Sequence, residues 1–139
     1  MSFIPIIDNP RYFDFNLPSS TLTNTIQLGE LVDLTGAKSA QLVVRSSNYV
    51  HAGTVTATVN AYRVWPTDVA NGVKPDGTAI MIATVDLTRS PGWVTVTGPF
   101  DTSLGRLPGP LVLVTLEVSA SAAAAATVAL SVAIEATAA

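Results

Sequence analysis

From Thr54 to Trp65 the chain alternates without a break, and that period of two sets the kind of structure open to it. One face carries Val55, Ala57, Val59, Ala61, Arg63 and Trp65; the other carries Thr54, Thr56, Thr58, Asn60, Tyr62 and Val64. Successive side chains of a β-strand point to opposite faces, so the run reads as a pleated, half-buried strand. Valine and threonine branch at Cβ, are stiff at χ1 and pack well on such a surface.

Similar runs recur. Thr25 to Val32 places Ile26 and Leu28 on one face and Leu31 on the other, with Gly29 marking a bulge between them. Ala40, Leu42 and Val44 alternate with Gln41, Val43 and Arg45. Thr78 to Thr88 is apolar on both faces, Ile80 and Ile82 against Met81 and Val85, and reads as a central strand. Trp93 to Thr97 alternates briefly, and Leu111 to Val118 is almost continuously apolar. Val128, Leu130, Val132 and Ile134 then alternate with Ala129, Ser131, Ala133 and Glu135. Turn residues separate the runs at Asp33 to Gly36, Asn71-Gly72, Lys74 to Gly77, Ser90 to Gly92 and Leu107 to Pro110. No long segment carries a capped apolar stripe of helical period. About seven to eight short strands with frequent turns predict an all-β fold, a single antiparallel β-sandwich of jelly-roll type.

The 139 residues suffice for one domain with a sizeable core. Residues 23–139 are expected to form the sandwich and residues 1–22 an extended N-terminal arm. The arm holds Phe3, Ile4, Ile6, Tyr12, Phe13 and Phe15, interrupted by Pro5, Pro10 and Pro18. That is too much proline for a central strand. It lies on its own domain, as an edge strand and loop, or on a neighbour. As an arm, its aromatic and aliphatic residues are the candidate partner contacts, and its deletion should leave the β circular-dichroism spectrum intact. Trp65 to Gly77 is a polar loop long enough to bind something, and Ala120 to Ala126 reads as a hairpin connection.

Composition narrows the chemistry. There is no cysteine, which removes disulfides, thiol catalysis and cysteine-based metal sites. The single histidine, His51, sits next to a strand with no Gly-x-Ser-x-Gly elbow in the chain, so it reads as a surface residue. The carboxylates Asp8, Asp14, Asp68, Asp76, Asp86, Asp101, Glu117 and Glu135 show no spacing that marks a catalytic pair or a calcium loop. Phosphate-binding glycine motifs are missing too, and the basic residues stand singly, Arg45 among them. With a net charge of −3 and a pI near 4.8, neither nucleic acid nor an anionic membrane is the expected partner. Met1 to Pro10 has no basic segment of the signal-peptide kind. The alanine-rich end, interrupted by Glu135, is too weakly apolar for a membrane span. The expectation is a non-enzymatic protein with no cofactor and no metal.

Two binding roles remain. Charged residues make up only 12% of the chain, where about 25% is usual. A surface of small, uncharged side chains suits a subunit that buries much of itself against copies of itself, because desolvating charge is costly. The alternative is a carbohydrate-binding, lectin-like sandwich, with Trp65 and Trp93 as a stacking platform.

The second half adds a resemblance. The segment Trp93-Val94-Thr95-Val96-Thr97-Gly98-Pro99-Phe100-Asp101, the apolar run Leu111 to Val118 and the closing strand Thr127 to Ile134 resemble small β-sandwich virion proteins of tailed bacteriophages. These are head-decoration (cement) or minor capsid proteins, and the resemblance spans residues 78–139. It implies a protein of the capsid surface, made in the host cytoplasm and often trimeric. Its partners would be a major capsid protein and copies of itself. No ligand or catalytic residue carries over.

Overall fold

The computed structural model describes residues 2–20, 22–34, 37–51, 55–64, 80–87, 93–100 and 111–138. Nine strands and no helix lie among them: β1 (Ser2–Leu17), β2 (Thr23–Gln27), β3 (Val32–Asp33), β4 (Ala37–His51), β5 (Val55–Val64), β6 (Ile80–Asp86), β7 (Val94–Pro99), β8 (Leu111–Ala120) and β9 (Ala124–Ala138).

The strands form two antiparallel sheets. Sheet A has the order β1-β9-β4-β7, and sheet B the order β2-β8-β5-β6 with β3 also on β8. Because β2 and β3 both pair with β8, they act as one interrupted strand. The chain then visits the sheets in the order A, B, A, B, B, A, B, A. That winding is a jelly roll, two Greek keys folded over one core. The expected sandwich class is the one observed.

Alternation explains the core. Leu42, Val44, Val132 and Ile134 of sheet A meet Val59, Val112, Val114, Leu116 and Val118 of sheet B in one apolar cluster. Their neighbours Gln41, Val43, Ala133 and Glu135 are only partly covered, as period two requires.

The two open sides of the sandwich are closed by glycines. Gly29 lies between β2 and β3 with φ +66°, where a Cβ would stand 2.8 Å from Ile6 Cγ2 and 2.9 Å from its carbonyl oxygen. So this turn needs both the left-handed backbone and the bare α-carbon. On the far side Gly98 of β7 comes so close to β6 that a Cβ would sit 2.6 Å from Val85 Cγ2 and 3.0 Å from the Thr84 carbonyl oxygen.

Two expectations change. The run expected to be a central strand, Thr78 to Thr88, contains β6, the outer strand of sheet B. Its double-sided apolarity comes from a register shift opposite Ala61 and Tyr62, which lets Ile82 and Ala83 both turn inward. The alanine-rich link is not a hairpin either, since β8 belongs to sheet B and β9 to sheet A. The bend at residues 121–123 carries the chain from one sheet to the other.

Candidate assembly surface

Each member of the proposed contact set has a place on β1, which runs along β9 as the edge of sheet A. Phe15 is 6% exposed and, like Ile7 and Leu17, belongs to the core. Ile4, Ile6 and Phe13 are half-buried against that core. Only Phe3 and Tyr12, at 61% and 67% exposure, present their rings to solvent. The register of β1 shifts between Pro5 and Ile7 and again between Ile7 and Arg11. Prolines at positions 5 and 10 and these bulges are tolerated because nothing pairs with the outer side of an edge strand, and they hinder a foreign strand from docking there. The Arg11 guanidinium lies 5.4 Å from the Phe13 ring centroid and covers that ring from outside.

Trp93, at 42% exposure, stands just before β7 on the outer side of sheet A. Arg45 of β4 lies over it, 5.1 Å from the ring centroid, so one face of the indole already has a partner. Trp65 and the loop from 65 to 79 are outside the described residues, as are Ser90 to Gly92 and Leu107 to Pro110. His51 closes β4.

The outward positions of sheet A form a broad face whose central rows, between Glu135 and Arg45, are uncharged. Across the sheet, Phe3 aligns with Glu135, Gln41 and Pro99. The next row is Pro5, Ala133, Val43 and Thr97, and Ser131, Arg45 and Thr95 follow. Further along, Thr127 Oγ1 donates a 2.7 Å hydrogen bond to Asp14 Oδ1 and satisfies that carboxylate within the sheet. Sequence reading picked out Phe3 and Trp93 on this face. It treated Arg45 as one scattered charge and passed over Val43 and Ala133, because their neighbourhood depends on the register of three strands.

Sheet B turns a different surface outward. Thr84 Oγ1 donates to Asn60 Oδ1 at 2.7 Å, and Asn60 Nδ2 donates to Thr58 Oγ1 at 3.2 Å. Tyr62 and Leu113 are buried beside them, packed with Leu31 and Leu111. Burial, reinforced by the charge of Glu117, pushes the Tyr62 phenol above its ordinary pKa, while Asn60 and Thr115 pull the other way. Thr115 is fully buried, and its Oγ1 has no hydrogen bond of good geometry among the described residues. An orphaned hydroxyl costs about 1–3 kcal/mol. Thr115→Val keeps the shape and removes the orphan, so its urea midpoint should rise by the equivalent of about 1 kcal/mol. A lower midpoint would show that the hydroxyl is bonded.

Among the described residues no group of three or more His, Cys, Asp or Glu is placed to hold a metal ion. No helix of the described residues is long and apolar enough to cross a membrane. An open depression of about 470 Å³ lies where Ile4, Pro5 and Ile6 of β1 meet the link from Gly29 to Asp33.

No protein-family model matches the chain, and no curated protein does. Among solved structures it is similar to a chain of infectious bursal disease virus, Gx strain, with TM-score 0.50 and 16% identity over 96% of this chain and 37% of that one. The Gt strain structure gives TM-score 0.48 and 14% identity, over 96% and 32%. The chain thus spans little more than a third of the virus chain it matches. At that identity the likeness is one of fold. The chain is an antiparallel jelly-roll sandwich of a kind also present in that virus.

Proposed function

We propose that this chain is a non-enzymatic structural protein of a virus particle, packing against copies of itself and against neighbouring subunits. The observation that carries the reading is the jelly-roll fold, shared over 96% of the chain with a chain of infectious bursal disease virus. The uncharged central rows of the outer face of sheet A support it, since such a patch loses little on leaving water. Within that role, the finer reading is a decoration or cement protein of a tailed-phage capsid, located on the virion surface. Each contact is modest, and symmetry repeats it many times over.

Phe3 and Tyr12 are the contacts β1 has to offer, because Phe15 already fills this chain's own core. The double variant Phe3→Ser/Tyr12→Ser should fold normally and bind depleted particles with at least about tenfold lower occupancy, as loss of exposed aromatic anchors does at other interfaces. Wild-type occupancy in that add-back experiment would remove both rings from the interface.

Trp93 favours a second reading, carbohydrate binding, through its 42% exposure. Arg45 over the ring leaves a single indole face for a sugar. Saturable quenching of tryptophan fluorescence by glycans would support that role, and its absence across a broad glycan panel would eliminate it.

A further inference from the structure

Where residues 41–45 of β4 lie beside residues 131–135 of β9 on the outer face of sheet A, one cation and one anion stand at opposite ends of an apolar centre. In the register of β4 and β9, Gln41 lies opposite Glu135, Val43 opposite Ala133 and Arg45 opposite Ser131. Leu42, Val44, Val132 and Ile134 point into the core, so this alternate set points outward. Arg45 and Glu135 are separated by four residues along the strands and by one strand across. At ~3.4 Å per residue and ~4.8 Å between strands, that is ~14 Å between α-carbons. The two cannot form an ion pair within one sheet. Arg45 is instead held on the face by the Trp93 ring, and Glu135 has no ion pair among the described residues. Pro5 and Thr97, which flank Ala133 and Val43, add no charge, while further along β1 the exposed Asp8 and Arg11 lie at the bulge beyond Ile7 and Asp14 is bonded to Thr127.

This pattern is complementary to itself. We propose that two copies stack the outer faces of sheet A about a two-fold axis centred on Val43 and Ala133, with Arg45 of each copy against Glu135 of the other. The axis lies between the two sheets, so it carries the cationic end of one face onto the acidic end of the other. The strand directions then cross obliquely, as those of stacked sheets do. The contact is isologous, and each pair of charges occurs twice. Small, uncharged side chains at the centre allow close approach, while the two ion pairs set the register and exclude a parallel overlay. A second copy matches both charges. The inference rests on the self-packing reading above and names the surface it uses.

Charge swapping tests it. The wild-type chain should show a concentration-dependent dimer by sedimentation, and Arg45→Glu and Glu135→Arg should each be monomeric over the same range. Each single variant confronts like charges twice, so its association should fall at least about tenfold. An equimolar mixture of the two should recover dimers. One variant then presents two acids to the two bases of the other, and both contacts are again of opposite sign. The double variant Arg45→Glu/Glu135→Arg should dimerise alone. Recovery on mixing also excludes misfolding as the cause of the single-variant loss. A wild-type chain that stays monomeric, single variants that dimerise like wild type, or a mixture that stays monomeric would each overturn the two-fold contact. None of these results changes whether the protein is recovered in particles, so the assembly role is judged separately.

Discussion

A chain beginning at residue 18 should lose its cooperative unfolding transition. The missing segment is β1, and with it go Ile7, Phe15 and Leu17, all in the core. Burying side chains of this size contributes about 1.5–3 kcal/mol each, so the loss is about 5–9 kcal/mol before any backbone hydrogen bond is counted. Domains of this size are stable by only about 5–15 kcal/mol. The deletion also bares β9, whose partners run from Ala124↔Leu17 to Ala136↔Ser2. An apolar strand without its edge neighbour recruits other chains. The expected product is therefore an aggregating chain with a flat thermal melt, not a trimmed sandwich. A sharp melt and unchanged circular dichroism would mean that β1 lies loosely on the domain and that its inward side chains contribute little.

Gly98→Val should weaken the fold measurably through a single position. Gly98 is buried where the outer strands of the two sheets converge. A Cβ there meets Val85 Cγ2 at 2.6 Å and the Thr84 carbonyl oxygen at 3.0 Å. The methyl can turn aside, but the carbonyl is fixed by the ladder between β5 and β6, in which Thr84 faces Asn60. Overpacking of this kind costs about 1–3 kcal/mol, and a branched side chain against backbone belongs at the upper end. A fall of about 10 °C in melting temperature is the expected result. In a double-mutant cycle, Val85→Ala should relieve part of the cost of Gly98→Ala, since it removes the nearer of the two obstacles. Strict additivity would mean that the two strands part without resistance.

What the sequence conveyed follows from the range of the interactions involved. Strand β5 was legible almost to the residue, because Val55 to Val64 alternates and alternation is local. Strand β9 was legible for the same reason, from Val128 to Ile134. Strand β4 extends well past the alternating stretch that ends at Arg45, since Ser46 to His51 is ordered through its pairing with β9 and not by its own pattern. Local pattern failed for β6, where a register shift turns consecutive apolar residues to the same side and mimics a strand buried on both faces. The alanine-rich link and the strand that follows it could not be assigned to sheets from composition, because sheet membership is decided by partners tens of residues away.

The candidate surface was legible only in part. Low overall charge pointed to burial in an assembly, and the aromatic residues of β1 were visible as candidates. Which of those rings face outward depends on the pairing of β1 with β9, and this leaves Phe3 and Tyr12 outside and takes Phe15 inside. The opposition of Arg45 and Glu135 about Val43 and Ala133 exists only once residues 41–45 are set beside residues 131–135. No single segment contains it. Trp93 was equally ambiguous, because an indole beside a strand serves a core, a sugar or an interface, and its partner Arg45 is distant in sequence.

The central claim is that this jelly roll works as a repeated structural part of a particle. Density-gradient fractionation of the native source, with absolute quantitation of this chain by mass spectrometry in each fraction, tests it most directly. Recovery in a megadalton particle, at a fixed, high copy number relative to the major shell protein, is the expected result. Recovery only as a small free species, with none in the particle fractions, would contradict it.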